Sequence, residues 1–485
     1  MPNIQKTFKD RSKWINTRSS TIFPIYLNKK NDQVLVFQNY WRWKSNIRDI
    51  NFILTLRAED ASVIDQIKYK IKEHNEISIK KIFNINYFFK GQLECEIDSN
   101  QNLKFPYPAL MLFYKNSNGY ESVVHSAGRH LNSNENFSSK FNESNFLSIL
   151  NHDFTPVIHI FSGKKIDKKN NFISLDFLNK KNELIFTKKI ENLFKKPFSS
   201  KLLFVEKYLN QIQKNKLQNT DFFIKIRFNI LNIFGRLIVG NYDKKNDALF
   251  MTHTFRVHSS TDKNLITPNK KYKTTAYLPL MNLKPLKMSA KSYPTNAPTK
   301  SHYENYELKD KKKIQINKSS ISTGGKKSQI FEIKVNENNF NVLEFRSKIP
   351  DRLNVEFNYY LKNSRHPTDI ADGIKTCYQP KKFSHWGHGV SKNSYITYIF
   401  IANYSNSSKD VNNEKLNLSI FSNSKKINRT FNINKSSHHV LKFKNLKQKI
   451  KSDYFSWKLN CKKTNLNIYW ISFDSKGSIC GDHAF

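Results

Sequence analysis

The chain has 485 residues, a formal net charge of +42, 38% hydrophobic residues and 14% aromatic residues. That length exceeds one ordinary domain and predicts three or four domains of roughly 100–150 residues. The 38 Phe and 22 Tyr exclude a disordered chain, and only 13 Gly and 14 Pro exclude a collagen-like or linker-dominated one.

Residues 1–20 are polar and read as a flexible N-terminal arm. From Thr21 the texture is β: IFPIYL, QVLVFQNYWRW and INFILTLRAE are rich in β-branched and aromatic residues and are separated by polar turns. Tyr40–Trp43 reads as a strand with one aromatic face in the core, and Asp60–Glu73 as a short helix. Gly91–Ser99 alternates Leu93, Cys95 and Ile97 with polar neighbours, the period of a half-buried strand. It leads into FPYPALMLFY and a histidine-bearing end, VVHSAGRH, which closes a first unit over 21–130.

Residues 131–152 are rich in Asn and Ser and read as a linker. A second unit over 153–260 repeats the order: FTPVIHIF opens it, FFIKIRFNI takes the place of Gly91–Ser99, FGRLIVGNY follows, and MTHTFRVH ends it. In both endings the two histidines are five apart, His125 and His130, then His253 and His258. A third unit over 274–391 carries a long polar insertion and ends in FSHWGHG. A fourth over 394–485 opens with YITYIFIA and ends in CGDHAF. Short alternating strands at this spacing predict an all-β protein of three or four tandem antiparallel β-sandwiches, immunoglobulin-like, with few short helices.

Much of the charge reads as compositional. Only 13 of the 81 basic residues are Arg, and heavy use of Lys, Asn, Ile and Phe is what AT-rich coding produces. Phosphate readers favour the bidentate Arg fork. The lysines read as spread along the chain, apart from short runs such as Lys309–Lys313, so a solvated lysine coat is preferred to a nucleic-acid surface. An anionic ligand or glycan is the other partner class that the charge suggests.

The four cysteines form no CxxC pair, so no zinc knuckle or redox motif is read. Neither a signal-peptide core nor an apolar run of about 20 residues is present, and the expectation is a cytoplasmic protein without a transmembrane segment. No GxSxG, HExxH, phosphate-loop or kinase motif occurs.

Chemistry is therefore sought in the histidine ends. Imidazole is the commonest metal ligand, and His125, His253, His385, His388 and His483 are the candidate ligands for a divalent metal, Zn or Fe. Arg129, Arg256, His130, His258 and Asp482 are the candidates for holding a ligand, since an arginine beside a histidine can clamp an anion. The bland alternative is that each histidine caps its sandwich. Three functions stay open: a non-catalytic binding protein using the histidine-rich ends, a metal-dependent enzyme or metal site built from them, and a nucleic-acid or anionic-glycan binder.

Overall fold

The computed structural model describes residues 15–485 apart from 134, 136–141, 168, 170, 182, 219, 221, 255–273, 282–285, 293–299, 310–311, 323–329, 332–339, 348–351, 376–382, 404–411 and 465. Its first repeat holds β1 (Arg18–Leu27), β2 (Asn31–Gln38), β3 (Asn51–Ala58), β4 (Val63–Tyr69), β5 (His74–Ser78), β6 (Phe89–Asp98), β7 (Met111–Asn116) and β8 (Glu121–His125). A short β9 (Arg129–His130) follows. The second repeat holds β10 (Asn142–Ser148), β11 (Phe154–Phe161), β12 (Phe172–Asn179), β13 (Leu184–Glu191), β14 (Ser200–Phe204), β15 (Phe222–Phe228), the short β16 (Ile233–Phe234), β17 (Ile238–Asp243) and β18 (Ala248–His253). The third holds β19 (Thr274–Met281), β20 (Lys287–Ser292), β21 (Lys300–Lys309), β22 (Lys312–Ser322), β23 (Ile330–Phe331), β24 (Phe340–Ser347), β25 (Arg352–Tyr360) and β26 (Thr368–Lys375). The fourth holds β27 (Ser384–Val390), β28 (Tyr395–Asn403), β29 (Glu414–Phe421), β30 (Lys426–Ile433), β31 (Ser437–Lys444), β32 (Tyr454–Asn460), β33 (Asn467–Asp474) and β34 (Ile479–His483).

One strand order is written four times. The sheets β1-β6-β3-β4 and β5-β2-β7-β8 recur as β10-β15-β12-β13 with β14-β11-β17-β18, as β19-β24-β21-β22 with β23-β20-β25-β26, and as β27-β32-β29-β30 with β31-β28-β33-β34. Counting strands within a repeat, the order is 1-6-3-4 and 5-2-7-8. Only strands 3–4 and 7–8 are sequence neighbours that pair; every other link crosses between sheets. The immunoglobulin order sets its first two strands side by side, and this is not that order. The protein is all-β, with many antiparallel sheets and a few short helices.

Strand 6 sits centrally in its sheet, which explains why its alternation is the clearest. In β15 the residues Phe222, Ile224, Ile226 and Phe228 are fully buried, and they pack with Ile173, Leu175 and Phe177 of β12 in one core. Burying side chains of this size contributes roughly 2–3 kcal/mol each. Leu93, Cys95 and Ile97 do the same in β6, and Phe455, Trp457 and Leu459 in β32. The strand 7–8 hairpins turn through left-handed residues, Gly119 (φ 94°), Asp247 (φ 54°) and Gly477 (φ 97°). Glycine is cheapest there, and Asp tolerates the conformation better than most residues.

Four sequence expectations change. Tyr40–Ser45 is a helix, α1, because the Asn39 side chain caps it and Asn46 ends it in a left-handed conformation. Tyr40 and Trp41 are both buried, stacked with ring centroids 4.2 Å apart, so this aromatic run builds core rather than a strand face. Val63–Tyr69 is strand β4, paired with β3, not a helix. It lies at a sheet edge and is exposed along most of its length, so no buried stripe marks its period. The linker at 131–152 contains β10, which pairs with β15 despite its Asn/Ser-rich sequence. Ser384–Val390 pairs with β32 and opens the fourth repeat instead of ending the third.

Compactness divides the chain into an N-terminal unit (1–117, 124–179 and 184–265) and a C-terminal unit (118–123, 180–183 and 266–485). Three further short helices are α2 (Ile79–Ile82), α3 (Gln211–Leu217) and α4 (Leu446–Ile450). Among the described residues no helix is long and apolar enough to cross a membrane.

Candidate functional site

The fourfold order gives the histidines an address. His125, His253 and His483 are each the last residue of strand 8, in β8, β18 and β34, whereas β26 ends in Lys375. His385 and His388 stand elsewhere, in strand 1 of the fourth repeat.

Within the N-terminal unit, His125 and His253 meet edge to face, with ring centroids 4.2 Å apart. Arg236, between β16 and β17, lies against both. Its Nη2 is 2.6 Å from His253 Nε2 and 3.1 Å from His125 Nε2. His253 Nδ1 faces the Thr254 carbonyl at 3.2 Å and also lies 3.1 Å from Arg236 Nε, which donates to it. Both rings thus have a nitrogen within hydrogen-bond distance of the Arg236 guanidinium. Arg129 closes its fork on Glu135, with both N···O distances 2.6 Å and both side chains only 3% exposed. His130 Nε2 sits 3.1 Å from the Ser162 carbonyl, its ring against Phe161 and Phe198. Burial pulls the His130 imidazole down to about 4, so it is neutral at pH 7. Arg256 and His258 lie outside the described residues.

Within the C-terminal unit, His388 is fully buried and its Nδ1 lies 2.9 Å from Ser456 Oγ. Its carbonyl accepts from Trp457 Nε1 at 2.9 Å. The flanking glycines have a packing reason: a Cβ on Gly387 would come within 2.5 Å of the Trp457 ring, and one on Gly389 within 2.5 Å of Phe455. His385 is buried beside them at 2% exposure. Asp482 accepts the His483 backbone N–H at 2.7 Å, and His483 Nδ1 faces the Ala484 carbonyl at 3.1 Å.

The same unit buries an ionic group that the sequence did not announce. The Glu121 side chain is fully buried, takes the Lys392 ammonium as ion-pair partner and accepts from Tyr454 Oη at 2.8 Å. Burial pulls the Lys392 ammonium down, but the Glu121 charge and hydrogen bond outweigh it, so the group stands above the usual lysine value. Cys480 beside it has its thiol pushed well up by burial, and then by Glu121. Burial likewise raises Cys95, and raises Cys461 to about 12. None of these three thiols is poised as a thiolate nucleophile.

A second region of the C-terminal unit is of another kind. Between Glu414 and Asp453 lie 38 residues without one Asp or Glu, and ten of them are cations: Lys415, Lys425, Lys426, Arg429, Lys435, Lys442, Lys444, Lys447, Lys449 and Lys451. At 39 acids in 485 residues, about three would be expected in such a stretch. Nine of the ten cations are exposed, and Lys447 is half-buried. The stretch folds into β29, β30, β31 and α4. Strands β30 and β31 are edges of the two different sheets of the repeat, and they lie alongside one another. Phe431 of β30 stacks on His439 of β31, with centroids 4.5 Å apart and planes 17° apart. Arg429 lies over Phe443 at 5.8 Å, Lys442 over Tyr398 at 5.7 Å and Lys426 over Phe421 at 5.1 Å. The Ser424 hydroxyl donates to the Ile450 carbonyl at 2.8 Å, which draws the Lys425–Lys426 turn to the Lys449–Lys451 end of α4. Sequence reading missed this face by watching for runs of lysine; the signal is the missing acids.

No protein-family model matches the chain, and no curated protein matches it in sequence.

Proposed function

We propose that the protein is a non-catalytic, polyanion-binding array of β-sandwiches, and that the acid-free edge of the fourth repeat is its contact surface. The observation that carries this reading is the 38-residue stretch with ten cations and no acid, nine of the ten exposed on β29, β30, β31, α4 and their turns. Lys447 is paired with Asp453 at 2.6 Å; cations crowded on one edge repel one another and are relieved by an anionic ligand. The side chains that chemistry would need point the other way in character. Arg129 is spent on Glu135, His125 and His253 lie on Arg236, and the described thiols are buried.

Binding of a labelled polyphosphate chain, measured between 50 and 200 mM salt, tests the reading. About five contacts on a flexible polyanion give a log–log salt slope near −3.5 and about a 100-fold loss of affinity over that range. Absence of binding at 50 mM salt sinks it.

A further inference from the structure

We infer that the polyanion this face prefers is single-stranded nucleic acid, with a base stacked on the Phe431–His439 pair while Arg429 holds a flanking phosphate. The inference rests on the polyanion reading above and adds the class of ligand to it.

The face pairs cations with rings. Phe431 and His439 come from the two edge strands and stack 4.5 Å apart. Both are half-buried, so the pair is held by the fold and still reaches solvent. Arg429 is exposed, stands two residues from Phe431 on the same face of β30, and lies over Phe443, which shares the His439 face of β31; Lys442 projects from the other face of β31, over Tyr398. Cations along a track interleaved with flat rings are what a strand with free bases uses, because every base offers a stacking face. A sulfated glycan would engage the cations and leave the rings idle. A duplex keeps its base faces stacked inside. Arg429 is the single arginine of the stretch, and lysines approach phosphates as point charges. Recognition of one base over another by bidentate contacts is therefore not built in, and binding is tolerant of sequence.

The test uses the full chain and four ligands of matched charge: an oligothymidylate of about 15 nucleotides, an abasic strand of the same length, a duplex and a heparin fragment. The expected order places oligothymidylate at least tenfold tighter than the abasic strand. Phe431→Ala lowers oligothymidylate affinity about tenfold, the range for loss of one stacked base, and changes abasic affinity less than twofold. Phe431→Tyr restores it. Equal affinity for the thymidylate and abasic strands overturns the inference and leaves the polyanion reading standing, as does a preference for heparin or for duplex. No binding to any of the four removes both. The thymidylate–abasic comparison needs no variant, so a Phe431→Ala chain that fails to fold does not blur the outcome.

Discussion

Strands 4 and 5 of the first and fourth repeats occupy the same places in the same strand order, and they carry opposite charge patterns. In the first repeat, Val63–Ser78 sets Lys68, Lys70 and Lys72 against Asp65, Glu73 and Glu76, a balance of three and three. In the fourth, Lys426–Lys444 carries Lys426, Arg429, Lys435, Lys442 and Lys444 with no acid. Edge strands are commonly guarded by charge, and mixed signs guard as well as one sign does. Acid-free sequence also occurs at 263–303, with eight lysines, and at 311–331, with six; on the edge of the fourth repeat the cations are exposed and interleaved with rings. The difference teaches that the net charge of +42 combines a general lysine richness with stretches that carry no carboxylate, of which the edge of the fourth repeat is one.

The largest expected contrast lies in acid. His74 opens strand 5 of the first repeat, and burial pulls it down to about 4. His130 is likewise held at about 4, and His159, in β11, at about 3 by burial and then Lys90. A buried histidine whose folded value lies below its unfolded value near 6.5 resists protonation that the unfolded chain accepts. Its contribution is complete above about pH 6.5 and is lost as pH falls toward 4, or toward 3 for His159, on the order of 3 kcal/mol for each group. Denaturant unfolding at pH 7, 6, 5 and 4 reads this. His159→Phe should flatten the dependence by about one proton; an unchanged slope contradicts the burial argument.

Next in size is the contrast between two arginines. Arg129→Ala leaves Glu135 buried without its bidentate partner and should cost about 3–5 kcal/mol of stability, with polyanion affinity unmoved. Arg429→Ala should leave stability within about 0.5 kcal/mol and lower polyanion affinity several-fold at 50 mM salt. Unfolding midpoints and binding curves on the two variants form a double dissociation. If Arg129→Ala weakened binding while the fold held, the internal assignment of that residue would be wrong.

Smaller again is charge reversal at the two edges. Arg429→Glu with Lys442→Glu should reduce polyanion affinity about 100-fold at 50 mM salt, since each lost contact becomes a repulsive one. Lys68→Glu with Lys70→Glu, at the equivalent edge, should change it less than threefold. Equal losses would mean that total charge governs binding and that the local face has no special standing.

Much of the architecture was legible in the sequence, for reasons that particular strands make plain. Leu93, Cys95 and Ile97 in β6, and Phe222 to Phe228 in β15, alternate because strand 6 is central, with one face in the core. Edge strand β4 has no buried face and so no readable period. The helix at Tyr40–Ser45 was hidden because two aromatic residues side by side look like a strand, and only the capping by Asn39 and Asn46 separates the cases. The histidine ends were visible as a repeat, but a sequence cannot show that Arg236, more than 100 residues from His125, supplies a hydrogen-bond partner to its ring. FSHWGHG looked like the ending of the third unit, but its glycines have a reason of packing: they admit the Trp457 and Phe455 rings.

The smallest effect sharpens the comparison most, because it pits histidines on the same strand against each other. His74 is shut inside the first repeat, whereas His438 and His439, on strand 5 of the fourth, are half-exposed among cations. Burial lowers His438, with His439 adding to it, and burial lowers His439. Both rings are neutral at pH 7 and gain protons as the solution falls below the usual histidine value. A bound phosphate strand favours the protonated ring, so affinity should rise as pH falls from 7 to 5, by a few-fold for each histidine involved. Thymidylate phosphodiesters and bases do not titrate in that interval, so the change belongs to the protein. His438→Gln should remove part of the rise without disturbing the Phe431–His439 stack. A pH-independent affinity in the wild-type chain would place the bound strand away from β31, and the charged edge would then have to act through β30 and α4 alone.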